Sequence, residues 1–129
     1  LIDDLTMKSH NILVAEDNMV NQFMLSKLLR DWNVKFDMVD TGRKALDRLK
    51  EKDYDLILMD THMPEMNGYE ATVEIRKSGN FEKVPIIAIT AKAMKGDREK
   101  CLAVGMSDYI SKPVDINQLL SLMRVWLYN

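Results

Sequence analysis

The stretch DLILMDTHMPEMNG, residues 55–68, constrains the fold more than any other part of the chain. Leu56 to Met59 is continuously apolar, too short to span a membrane and closed by turn residues. It therefore predicts a strand covered on both faces, as in a parallel sheet. Asp60 is then the last strand residue, and a carboxylate there lies in the crevice where open α/β sheets bind ligands. Pro64 cannot continue a ladder. Asn67-Gly68 opens a helix, with Asn67 as its cap and Glu70 placed to reach back to it.

The same logic repeats along the chain. Ile12 to Ala15 is a second short apolar run, ending in Glu16-Asp17-Asn18. From Asn18 the period changes to three to four residues, with Val20, Phe23, Met24, Leu28 and Trp32 expected on one buried face and Asn33 as the stop. Val34 to Val39 alternates as an edge strand does. Thr41-Gly42 begins a short helix with Ala45, Leu46 and Leu49 inward, and a helix from Gly68 to Lys77 offers Ala71, Val73 and Ile75. Val84 to Ile89 is a further buried strand that delivers Thr90 to its carboxyl end. Met94 to Val104 is a weakly apolar helix stopped by Gly105, and Asp108-Tyr109-Ile110 is a short strand before Lys112-Pro113. Asp115 and Gln118 form a second capping box, and Ile116, Leu119, Leu120, Met123 and Leu127 make the inward face of the last helix.

Five strands alternating with five helices through short connections imply parallel strands, right-handed crossovers and helices on both faces: a doubly wound α/β sheet. At 129 residues and 14.9 kDa the chain suits one domain, read as residues 11–129 behind a polar linker over residues 1–10. Leu1 is not a start methionine, so a longer parent chain is expected, with Met7 as a native start the alternative. Eighteen basic and twenty acidic residues give a net charge of −2 without a basic stripe, which argues against a nucleic-acid surface. No apolar run approaches the ~20 residues that cross a bilayer, so no membrane contact by this domain is expected. The single cysteine, Cys101, fits a reducing compartment such as the cytoplasm.

In such a sheet Glu16, Asp17, Asp60, Thr90 and Lys112 all fall at one edge, just after strands one, three, four and five. Three carboxylates brought that close repel, and a divalent cation removes the conflict. An all-oxygen donor set suits Mg²⁺ rather than zinc, and Mg²⁺ brings phosphate oxygens with it. An Asp carboxylate is a competent nucleophile toward phosphorus, while Lys112 and the Thr90 hydroxyl supply donors for phosphoryl oxygens. Nothing in the cluster resembles a strong base for activating water, so an acyl phosphate would persist.

These motifs resemble the receiver domain of bacterial-type two-component signalling. The match runs from about Asn11 to Tyr128 through Glu16-Asp17-Asn18, Met59-Asp60, Met63-Pro64-Glu65-Met66-Asn67-Gly68, Ile89-Thr90-Ala91 and Lys112-Pro113. The resemblance implies the flavodoxin-like receiver fold, with Asp60 as phosphoacceptor. It also implies Mg²⁺ held by Glu16, Asp17, Asp60 and the backbone carbonyl of His62, with Thr90 and Lys112 on the phosphoryl group. It further implies a cis Lys112-Pro113 peptide and a switching aromatic at Tyr109. Asn18-Met-Val-Asn21-Gln22 is similar to receivers fused to hybrid sensor histidine kinases. The implied partners are a histidine kinase core, a histidine phosphotransfer protein, or a second copy through the fourth helix, fifth strand and fifth helix. His62 departs from the glutamine more usual in hybrid-kinase receivers. Either it orders or shields the attacking water, which makes it a modulator of phosphoryl lifetime, or it is a passive loop residue.

Such a domain undergoes self-phosphorylation only and is not an enzyme in isolation, although its parent chain is expected to be a histidine kinase. Two other readings compete. One is the receiver of a DNA-binding response regulator. The other is a haloacid-dehalogenase-like phosphohydrolase, which also uses an Asp nucleophile and Mg²⁺. That family carries a second acid two residues after the nucleophile, where this chain has His62, and it holds its substrate under a cap insertion.

Overall fold

The computed structural model describes residues 10–79, 83–91 and 96–128. Five parallel strands form one sheet: β1 Asn11–Ala15, β2 Lys35–Val39, β3 Leu56–Asp60, β4 Ile86–Thr90 and β5 Asp108–Ser111, in the order β2-β1-β3-β4-β5. The helices between and after them are α1 Met19–Asp31, α2 Gly42–Glu51, α3 Gly68–Lys77, α4 Asp97–Ala103 and α5 Ile116–Tyr128. β2 is an edge strand, as its alternation predicts. The registers run Ala15 beside Met59, Asp60 beside Ile89 and Thr90 beside Ser111, so the strands end nearly level.

The central strands are apolar at every position because each face of the sheet is covered. Leu13, Ala15, Ile57, Met59, Ile86 and Ala88 point toward α2, α3 and α4, where they meet Ala45, Leu49, Ala71, Ile75 and Cys101. Ile12, Val14, Leu56, Leu58, Ile87 and Ile89 point the other way, onto Leu25 and Leu29 of α1 and Leu119 and Met123 of α5. Removing this much apolar surface from water is the main favourable term in the fold.

The helix ends follow local chemistry. Asn18 Oδ1 accepts from the Asn21 amide at 3.0 Å, and Asn33 stops α1 with φ 58°. The capping box of α3 is complete, with Glu70 N to Asn67 Oδ1 at 2.9 Å and Asn67 N to Glu70 Oε1 at 3.0 Å. Gly68 is obligatory for a packing reason: a Cβ there would sit 2.1 Å from the Asp60 carbonyl oxygen. At the start of α5, Gln118 N donates to Asp115 Oδ1 at 2.8 Å.

Two expectations need correction. Val20 and Phe23 do not face the core; with Met19 they are 74, 72 and 81% exposed, and Leu25 and Leu29 are the residues α1 buries. Apolar residues surround much of α1, so the docking of the helix selects the buried stripe and periodicity alone does not. Ile116 is likewise exposed, because only Leu119 and Met123 of α5 reach the sheet fully. α4 begins at Asp97; the expected start at Met94 lies outside the described residues, as do residues 1–9 of the expected linker. His10, the last residue of that linker, lies beside Tyr128 with ring centroids 6.3 Å apart and the rings tilted by 52°.

Candidate functional site

The level strand ends bring four charged side chains together. Asp60 closes β3 with 1% of its surface exposed, and Glu16, one residue beyond β1, is fully buried. Carboxylate oxygens of Glu16, Asp17 and Asp60 all lie within 4.8 Å of one another. Lys112, just after β5, places its Nζ 3.3 Å from both Glu16 Oε1 and Asp60 Oδ2. Lys112 is aimed by its backbone, whose N–H donates to the Thr90 carbonyl at 2.7 Å; the peptide that follows, Lys112-Pro113, is cis.

One ammonium faces three carboxylates, two of them withdrawn from water. Burial pushes the Asp60 carboxyl up to about 7, the neighbouring Glu16 carboxyl adds to the rise, and the His62 N–H and Lys112 oppose it. Glu16 Oε1 is buried and accepts no hydrogen bond; the Lys112 ammonium 3.3 Å away, which it shares with Asp60, is the cation that faces it. Among the described residues no hydrogen bond holds the Asp17 carboxylate, which is exposed at the mouth. This oxygen-only nest, short of positive charge, fits a hard divalent cation and not a thiolate- or imidazole-bound metal.

The remaining predicted residues take distinct places. Thr90 ends β4, the strand beside Asp60, and is 3% exposed. His62 meets the site through its backbone, N–H to Asp60 Oδ1 at 3.1 Å, while its side chain is exposed. Tyr109 pairs with Ala88 and packs, half-buried, on the core layer under α2, α3 and α4. Sequence reasoning did not give a role to two contacts that shape the acidic turn. Asn18 N donates to Glu16 Oε2 at 3.0 Å, and Gln22 Nε2 donates to the Glu16 carbonyl at 2.6 Å. The only signal for them was the Asn18-to-Gln22 motif.

A doubly wound sheet with a buried acid at the tip of its central strand, two further acids and a lysine is the arrangement expected of a receiver-type domain. The family model for the response regulator receiver domain matches residues 12–124, and the chain belongs to that family. It is 44% identical over 124 residues to hybrid signal transduction histidine kinase B of Dictyostelium discoideum, a match covering 88% of this chain but 6% of that protein's length. Among solved structures it resembles the receiver domain of sensor histidine kinase PA1611 from Pseudomonas aeruginosa, solved with magnesium coordinated in its active-site cleft. That likeness has TM-score 0.87 and 42% identity over 93% of this chain and 98% of that one. It also resembles the receiver domain of Ssk1 from Saccharomyces cerevisiae, solved with the histidine phosphotransfer protein Ypd1, with TM-score 0.83 and 33% identity over 91% of this chain and 88% of that one. Family membership removes the haloacid-dehalogenase reading.

Proposed function

We propose that this domain accepts a phosphoryl group from a phosphohistidine onto Asp60 and relays the change to a partner-binding face. The observation that carries the reading is the buried Asp60 carboxylate with Lys112 3.3 Å from its Oδ2 and Glu16 and Asp17 beside it. An Asp60 oxygen attacks phosphorus in line with the histidine nitrogen; the P–O bond forms as the P–N bond breaks, and the imidazole leaves with the electron pair. Lys112 and the Thr90 hydroxyl hold phosphoryl oxygens, and the dry, fixed surroundings of Asp60 keep the nucleophile aimed. Glu16, Asp17, Asp60 and the His62 carbonyl would hold Mg²⁺, whose charge neutralises that developing on the phosphoryl oxygens. The magnesium in the PA1611 receiver supports this assignment.

The switch we assign to Thr90 and Tyr109. A group carrying about −1.5 to −2 charge at Asp60 draws Thr90 inward, and Tyr109 rotates to follow, reshaping the face made by α4, β5 and α5. That face is also where a second copy would pair. The donor is a histidine kinase core or a histidine phosphotransfer protein, a reading supported by the Ypd1 complex of the Ssk1 receiver. Identity to a hybrid kinase supports a hybrid sensor histidine kinase as the parent, with this domain in the cytoplasm, where the lone buried Cys101 stays reduced. No described helix is long and apolar enough to cross a membrane.

The test is phosphorylation by a small-molecule donor with Mg²⁺, read by intact mass. Wild type gains one phosphoryl group, and Asp60→Asn gains none. Label retained on the variant refutes the acceptor.

A further inference from the structure

We propose that Gln22 is a positioning residue for the metal-binding acids, clamping the turn that carries Asp17 without touching the metal or the phosphoryl group. The inference rests on the reading of the nest as a cation site. Asp17 belongs to the acid cluster, yet its carboxylate is exposed and makes no hydrogen bond among the described residues. Its position is therefore set by what holds residues 16 and 18.

Four bonds do so. Glu16 N–H continues the ladder to the Val39 carbonyl at 2.9 Å, and the Glu16 carbonyl accepts from Gln22 Nε2 at 2.6 Å. Asn18 N–H donates to Glu16 Oε2 at 3.0 Å, and the Asn18 carbonyl accepts from Gln22 N at 2.9 Å. Gln22 thus holds both flanks of Asp17, one through its side chain and one through its backbone. The first turn of α1 becomes a splint across the acidic turn. Without the carboxamide, the peptide between Glu16 and Asp17 loses its partner on the carbonyl side and is free to rotate, carrying Asp17 away from Glu16 and Asp60. A preorganised acid pair binds a cation more tightly than one that must be ordered on binding, because the ordering cost is already met by the fold.

The experiment uses Gln22→Met, which keeps the length of the side chain and removes the donor. Mg²⁺ affinity is measured by calorimetric titration, together with metal-free thermal stability and amide exchange at Asp17 and Asn18. The expected result is about tenfold weaker Mg²⁺ binding, the size usual for loss of a group that orients metal ligands. Exchange at Asp17 and Asn18 becomes faster, metal-free stability is nearly unchanged, and phosphorylation by a small-molecule donor recovers at saturating Mg²⁺. Wild-type affinity in the variant overturns the proposal. So does a loss of affinity that only follows a general drop in metal-free stability, or one that excess Mg²⁺ does not rescue. Failure of wild type to bind Mg²⁺ at all overturns instead the reading of the site.

Discussion

Lys112 Nζ stands 3.3 Å from Asp60 Oδ2 and the same distance from Glu16 Oε1, so one cation is shared between two buried acids at the ends of different strands. The arrangement is under-neutralised, and its behaviour with pH follows. Asp60 has a folded-state pKa raised to about 7 from an ordinary 3.8. Between those values the folded domain holds a proton that the unfolded chain has released. The stabilising contribution is complete below about 4 and lost as pH rises through about 7. Metal-free domain should therefore be a few kcal/mol less stable at pH 8 than this one group allows at pH 5. Asp60→Asn should remove most of that dependence and raise the metal-free melting temperature at pH 8. Thermal melts across this range check both; a flat wild-type profile contradicts them.

The same proton competes with metal. A carboxylate that ionises near 7 is about one-tenth ionised at pH 6, so apparent Mg²⁺ affinity should fall roughly tenfold between pH 8 and pH 6. Calorimetry in buffers of different ionisation enthalpy should also show proton release on binding near neutrality. Affinity independent of pH would mean that Asp60 is ionised throughout.

Gly68 seats α3 directly on the strand that ends in Asp60. With a Cβ only 2.1 Å from the Asp60 carbonyl oxygen, Gly68→Ala has to displace backbone, and about 2–3 kcal/mol of stability should be lost. Gly79 supplies the contrast: its φ is +77° with nothing within 4 Å of a Cβ, so Gly79→Ala should cost only about 1 kcal/mol of backbone strain. Denaturant unfolding of the two variants checks the order.

Met19, Val20 and Phe23 form an exposed apolar face at the start of α1, immediately after the acidic turn. A protein donor reaching Asp60 must cover the surface around that mouth. Phe23→Ser should leave stability within about 0.5 kcal/mol and phosphorylation by a small-molecule donor unchanged. Transfer from a phosphorylated histidine phosphotransfer protein should slow by about tenfold, as for a buried aromatic interface contact worth ~1.4 kcal/mol. Equal loss with both donors would place the effect in the nest.

Tyr109 lies two residues before Ser111, the register partner of Thr90. Tyr109→Ala should keep phosphorylation of Asp60 and lose most of the phosphorylation-dependent change in partner binding. If partner binding stays fully dependent on phosphorylation, the aromatic has no part in the switch.

Much of this protein is decided by short-range signals. The runs Ile12–Ala15 and Leu56–Met59 declare buried strands because only a strand covered on both faces is apolar at every position. Asn67-Gly68 with Glu70 declares a helix start because cap and reply lie three residues apart. Five polar residues at the ends of such runs declare one chemical edge once the strands are parallel. Tertiary structure decided what local patterns leave degenerate. The apolar residues of α1 span more than one face, and only docking against β1 and α5 selects Leu25 and Leu29 over Val20 and Phe23. The shared position of Lys112 between Glu16 and Asp60, the rise of the Asp60 pKa and the reach of Gln22 to the Glu16 carbonyl also depend on how strands distant in sequence align and how a helix packs. Periodicity carries the identity of an element, whereas the depth of a charge and the distance between two acids exist only after the chain has closed around them.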